Sequence, residues 1–388
     1  MHVDRANILS LRKTKPYGTL AALLVLGVGC GRAPGIATEQ INTPSTTSAT
    51  GWTEEPARWA EGFGWSDARR ILWLASAGDT TRWTRDVQLA SSSGGRIQVL
   101  PRPKELALGT WSTTHVPYLT AIGAQGQWVA SGYADRVPDV QGALVNLGGD
   151  AGLDEERLVA SGANVLSSYP FGNPMEGVSQ RTGIPVLPLT EYAEPHPLGR
   201  AEYVRLFGWL TGREAQADQV FDGIELTYVT LADRAQRWAS EHGRPTVFAG
   251  SSQSGKWTAP GADGLVARLI EDAGGQYAFS DAAVAAMSLQ RVGTNYEVEL
   301  EQCAAIAAGS EFWGKVVFAP EGWTRAQAME EAPWCDLDNK ILFHCNTAEV
   351  DYFGQAVMEP HFMLGDLVAL FQGGEEGSAP RYFKPTPP

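Results

Sequence analysis

The sequence predicts an α/β protein of two Rossmann-like lobes joined by a long backbone helix. Three observations carry that expectation. Short apolar runs bounded by turn formers alternate with helical patterns on both sides of the midpoint, the rhythm of βαβ units. Between the halves, over residues 198–241, apolar residues recur at three-to-four spacing, which marks one face of a helix. The chain has 388 residues, 44% hydrophobic and 19% charged, enough for two medium domains that each bury a core.

Residues 1–29 read as a signal segment. Arg5, Arg12, Lys13 and Lys15 form a basic region, and the apolar run from Thr19 to Gly29 is shorter than the roughly twenty residues a bilayer needs. The run ends in Leu26-Gly-Val-Gly-Cys30, which resembles the signal of a bacterial lipoprotein, cleaved before a cysteine that then carries lipid. Residues 30–55 are rich in Thr, Ser, Pro and Gly and read as a flexible linker that cannot bury a core. The chain is therefore expected to be exported and anchored by lipid on Cys30, in the periplasm or at the cell surface.

The first lobe is expected over 56–197. Arg70-Ile-Leu-Trp-Leu and Arg96-Ile-Gln-Val-Leu read as short strands, and Gly109-Thr-Trp-Ser-Thr-Thr-His115 as a strand end and loop. Ala143 to Leu147 is another strand. Leu153 to Ser161 is a helix with three carboxylates in its first turn, where the helix dipole favours them. Asn164-Val-Leu-Ser-Ser and Ile184-Pro-Val-Leu-Pro-Leu complete the rhythm. The second lobe, 242–388, repeats it: a strand from Pro245, a helix from Gly264 to Ala273 stopped by Gly274-Gly275, a helix from Glu297 to Ala308, strands from Phe312 and Lys340, and a closing helix from Pro360 to Phe371.

The connecting pattern from 198 to 241 reads as two consecutive helices, with Thr211-Gly-Arg-Glu214 as a capping box between them. The second is stopped by Gly243 and Pro245 and would be about 40 Å long. A crossover within one sheet is usually far shorter, so this helix is expected to bridge two lobes.

Composition narrows the function. A net charge of −14, with no Lys/Arg cluster after residue 15, excludes nucleic acid as the partner. No Cys-x-x-Cys or His-x-x-x-His spacing marks a zinc site, so no metal site is expected. In an oxidising compartment two of Cys303, Cys335 and Cys345 could pair, with Cys335 and Cys345 joining adjacent strands, or all three could stay reduced; both readings remain open.

The segments Ser112-Thr-Thr-His115, Leu153-Asp-Glu-Glu-Arg-Leu-Val-Ala160, Gly183-Ile-Pro-Val, Glu194-x-x-Pro-Leu-Gly-Arg-Ala-Glu202, Trp257-x-x-Pro-Gly, Asp272-Ala-Gly-Gly-x-Tyr277, Asp351-Tyr-Phe-Gly and Gly365-Asp-Leu-Val occur in one order. Together they resemble the substrate-binding proteins of ABC importers for ferric siderophores, haem and cobalamin, the helical-backbone class of periplasmic binding proteins. The likeness covers roughly residues 60 to 388. Where the family commonly has Lys-Pro-Asp after the Leu-Glu-Arg helix, this chain has Ser161-Gly-Ala-Asn164, and Phe371-Gln-Gly-Gly replaces the usual His-Pro-Glu.

The resemblance implies a monomeric, non-enzymatic binding protein without a cofactor, which carries a ferric siderophore to a permease; cobalamin is the runner-up ligand and haem the third. It implies one docking glutamate per lobe, Glu156 (with Glu155 as fallback) and Glu301 (with Glu299). Carboxylates suit arginines of a permease because charge-assisted bonds fix orientation. Sites for large ligands are mostly apolar with a few polar anchors, and the chain carries 13 Trp. The candidates are Trp111, His115 and Tyr118 in the first lobe, Arg200 at the entrance to the backbone helix, and Trp257 and Trp323 on loops of the second. A hydrolase is the enzyme alternative, but Gly250-Ser-Ser-Gln-Ser-Gly255 lacks the Gly-x-Ser-x-Gly spacing. An accessory surface binder without a permease is the other alternative.

Overall fold

The computed structural model describes residues 54–387 except 67, 70, 77–78, 85–98, 138–143, 171–174, 176, 254 and 375–378. The expected signal, most of the linker and Cys30 lie outside the described residues.

Five strands, β1 (Glu54–Pro56), β2 (Phe63–Ser66), β3 (Ile71–Ser76), β4 (Asp79–Thr84) and β5 (Val99–Pro101), form a mostly antiparallel sheet in sequential order. The two strands expected from Arg70 and Arg96 thus belong to a sheet of hairpins rather than to a βαβ unit. The first lobe proper follows: β6 (Leu108–Thr110), helix α1 (Val116–Ala121), β7 (Trp128–Ser131), β8 (Val145–Asn146), a small ribbon of β9 (Gly148–Gly149) and β10 (Gly152–Leu153), α2 (Glu155–Ala160), β11 (Val165–Ser168), α3 (Val178–Thr182) and β12 (Val186–Pro188). Its parallel sheet has the order β12-β11-β6-β7-β8.

Two helices then leave the lobe. Helix α4 (Pro197–Thr211) starts with proline at its first position, where no N–H is needed, and His196 caps it by accepting from Leu198 N–H at 3.0 Å. It is buried nearly all round, from Leu198 to Leu210. Helix α5 (Glu214–His242) has 29 residues, about 43 Å at the helical rise, and buries only one stripe, including Phe221, Ile224, Tyr228 and Ala235. The expected capping box does not form. Gly212 (φ 75) ends α4 first, so Thr211 belongs to the earlier helix and its hydroxyl donates back to Phe207 O at 2.7 Å. Arg213 then precedes α5 without a side-chain cap.

The second lobe has a parallel sheet of β13 (Thr246–Ala249), β16 (Gln276–Tyr277), β19 (Phe312–Val317) and β20 (Ile341–Asn346), ordered β16-β13-β19-β20, with β21 (Lys384–Pro385) added antiparallel. An antiparallel sheet rises from the end of β13: β14 (Ser251–Gln253), β15 (Lys256–Pro260), β17 (Gln290–Val292) and β18 (Asn295–Val298). Helices α6 (Leu265–Asp272), α7 (Asp281–Met287), α8 (Leu300–Ala308), α9 (Arg325–Glu331) and α10 (Pro360–Phe371) fill the connections. Glu297, expected to open a helix, is a strand residue, and α8 begins at Leu300. Cys335 lies beyond α9 and Cys345 within β20, so they do not sit on adjacent strands; all three described thiols are unbonded.

The loop between β1 and β2 is bolted to α4 and to the segment just before it by two buried carboxylates. Glu202 accepts the backbone N–H groups of Arg58, Trp59 and Ala60 at 2.7–3.1 Å, and Glu194 accepts those of Glu61 and Gly62 at 2.9–3.2 Å. Five consecutive donors are satisfied without a regular ladder. No helix among the described residues is long and apolar enough to cross a membrane.

Candidate ligand cleft

In an open parallel sheet, ligands bind beyond the carboxyl ends of the strands, where the loops converge. The first turn of α4 follows the carboxyl end of β12, Tyr352 follows that of β20, and the two meet in a small recess. Pro197, Leu265 and Pro360, the first residues of α4, α6 and α10, all line it, together with Arg200, Tyr352, Ala356, Val357 and Met363. Three helix N-termini give this floor a positive potential. Arg200 adds a full charge; it is half-buried, and its Nε is buried without a hydrogen-bond partner among the described residues. Burial pushes the Tyr352 phenol up to about 12, so it stands beside Arg200 as a neutral donor.

Beside this floor lies a polar cluster of the first lobe. Thr114 Oγ1 donates to Glu191 Oε1 at 2.7 Å, and His115 Nε2 lies 3.5 Å from the same oxygen. Burial alone would raise the Glu191 carboxyl, but His115, Arg200 and Thr114 hold it below the usual carboxylate range. His115 Nδ1 pairs with Ser167 Oγ at 2.9 Å, so this fully buried imidazole braces the loop after β6. Tyr118, equally buried, donates to Arg200 O at 2.8 Å and ties α1 to α4.

The aromatics expected from the sequence are mostly inside. Trp111 is 3% exposed just past β6. Trp257 is fully buried on β15, a strand rather than a loop, against Phe248, Trp313 and Trp334. Trp323 is 7% exposed, stacked 5.8 Å from Trp313. At the rim, half-exposed aromatics that the sequence reading did not single out take the outer positions. Tyr133 follows β7 and Tyr169 follows β11, on either side of Trp111 in the strand order β11-β6-β7. Phe318, half exposed, follows β19 in the other lobe. The signal available in the sequence is an aromatic shortly after each of these strands.

Glu156 and Glu301 lie in the first turns of α2 and α8, both exposed. The two helices lead into β11 and β19, one in each parallel sheet. Their fallbacks are engaged: Glu155 pairs with Arg181 at 2.7 Å and Glu299 with Lys256 at 3.1 Å. No cluster of His, Cys, Asp and Glu suited to a metal ion occurs among the described residues.

Known structures share this architecture. A periplasmic heme-binding protein from Pseudomonas aeruginosa superposes with TM-score 0.54 at 15% identity, covering 72% of this chain and 97% of that one. An ABC transporter substrate-binding protein from Listeria monocytogenes gives 0.53 at 10% identity, covering 70% and 100%. The siderophore-binding protein FhuD of Vibrio cholerae, solved with Fe3+-Desferal, gives 0.51 at 14%, covering 69% and 100%. The chain thus has the two-lobe, helix-bridged fold of periplasmic solute-binding proteins. No family model matches it. A curated relative, an uncharacterized lipoprotein of Methanocaldococcus jannaschii, is 23% identical over 129 residues, and the match spans 29% of this chain and 31% of that protein's length.

Proposed function

We propose that this protein is the solute-capturing component of an ABC importer, a non-enzymatic monomer that takes one ferric siderophore between its lobes and delivers it to a permease. The observation that carries the reading is Arg200, a half-buried guanidinium whose Nε has no hydrogen-bond partner among the described residues, in a recess lined by the first residues of three helices. A buried donor without an acceptor is costly unless a ligand supplies one, and oxygen-rich chelates carry such acceptors. Similar folds serve a ferric siderophore in FhuD and heme in the Pseudomonas protein, which supports the ligand class. Cobalamin and haem are the alternatives. Glu156 and Glu301, exposed in the first turns of α2 and α8, are assigned to docking on permease arginines. Lipid on Cys30 is assigned as the anchor, in keeping with the lipoprotein relative.

Native mass spectrometry of protein purified from its own host tests the ligand class. A co-purified iron chelate is the expected result. A protein that carries a different class of solute, with no iron or cobalt species, would overturn the reading.

A further inference from the structure

Where the first lobe hands over to the second, separate segments of the chain converge on one carboxylate. Asp272 ends α6 and is buried. Its Oδ2 accepts from the Tyr228 hydroxyl of α5 at 2.8 Å, and its Oδ1 pairs with Arg268, one turn earlier on α6, at 3.0 Å. From the first lobe comes His196, the residue before α4, whose Nε2 lies 3.5 Å from Asp272 Oδ2. His196 Nδ1 is already taken as the acceptor of Leu198 N–H. Burial, with the Arg268 cation acting in the same direction, pushes this imidazole down to about 3. It is therefore neutral and carries its proton on Nε2, facing the carboxylate.

The imidazole has little freedom to turn away. Trp59, from the loop between β1 and β2, packs on it with ring centroids 4.4 Å apart, and the Tyr228 ring stands 5.7 Å away. Trp59 is held in turn by α5, since its Nε1 donates to Glu225 at 2.5 Å. The end of α6 is seated on the same helix. Gln236 donates to Glu271 O at 2.7 Å and to Asp272 O at 3.2 Å, and a Cβ at Gly274 would come within 2.9 Å of Ala235 O. A seam of apolar side chains tolerates sliding, whereas a buried carboxylate that faces donors from three residues is satisfied in one geometry. Both partners also lead to the recess: Pro197 follows His196, and Leu265 begins α6.

We propose that His196 and Asp272 form a hinge stop, a positioning pair that sets the angle at which the second lobe meets the exit of the first. The spacing of the helix starts around the recess follows from that angle. The pair acts on lobe geometry, whichever solute is carried.

The experiment measures the distance between lobes in the ligand-free full chain by pulsed electron paramagnetic resonance. Nitroxides are attached through introduced ketone side chains, which spare the native cysteines, at two exposed positions, Val159 in α2 and Ala305 in α8. Wild type, His196→Asn, Asp272→Asn and the double variant are compared, and each is melted. Asparagine at 196 still offers an oxygen to Leu198 N–H, so α4 keeps its cap, and asparagine at 272 still accepts from Tyr228. Wild type should give one narrow distance peak. Each single variant should broaden that peak, or move its centre, by more than about 2 Å, the scale of a domain rearrangement. The double variant should do no more than the larger single change, because both substitutions remove one shared contact. Variants that keep the wild-type peak, whatever their Tm, would overturn the hinge stop. So would a wild-type peak as broad as theirs, or additive changes in the double variant. If one variant does not fold, the other carries the comparison with wild type. None of these outcomes depends on a solute, so failure here leaves the import reading intact.

Discussion

At the scale of single residues, Arg200 and Glu194 show how burial assigns different work to two charges on neighbouring turns. Arg200 lines the recess with an Nε that has no partner among the described residues, so Arg200→Gln should weaken chelate binding by about 1.5–3 kcal/mol, the range for hydrogen bonds to a charged group. The same change should lower Tm, because Arg200 helps keep the buried Glu191 carboxyl ionised. Parallel titration and melting of the two proteins read both effects. Glu194 is raised to about 7, chiefly by burial and despite the N–H groups of Glu61 and Gly62. A carboxyl raised in the folded state stabilises the fold when protonated, so stability should fall as pH rises from about 4.5 to 7. Glu194→Gln should flatten this loss, worth up to about 3 kcal/mol, in urea unfolding at pH 5 and pH 8. Residue roles were only partly legible in the sequence. Arg200 stands out in the sequence by its place at the entrance to the backbone helix, whereas nothing in Gly132-Tyr133 announces a left-handed backbone at a strand end.

At the scale of elements, periodicity was the reliable guide. Helices α4, α5, α6 and α10 and strands β11, β13, β19 and β20 all carry clear patterns of three-to-four spacing or short apolar runs, and they fall within a few residues of expectation. The antiparallel sheets escaped for a physical reason. Strand β17 (Gln-Arg-Val) is exposed at its first two residues, and β18 alternates Tyr296 and Val298 inward with Glu297 outward, a pattern too short to separate from a helix start. The capping box failed because one threonine cannot end α4 and cap α5 at once. The placement of α2 and α8 yields the prediction of this scale. Replacing Glu156 and Glu301 together by alanine should abolish uptake in cells while chelate affinity in solution stays within about twofold. Affinity that falls along with uptake would show that these carboxylates serve the cleft instead.

At the scale of the whole molecule, one structural relation governs the rest. A 29-residue helix and its shorter predecessor join two parallel sheets, and the start of α4, beyond β12, meets Tyr352, beyond β20, in one recess. The hairpin sheet, clamped to α4 through Glu194 and Glu202, stiffens that connection from outside. Such a frame favours a preformed site over one assembled by folding around the solute, and a preformed site loses less entropy on binding. The most direct test is calorimetric titration of the ligand-free protein with ferric siderophores, haemin and cyanocobalamin. One of these classes should bind saturably at one molecule per chain, and Arg200→Gln should abolish or strongly weaken that binding. No measurable binding of any class, or binding that ignores Arg200, would contradict the import reading.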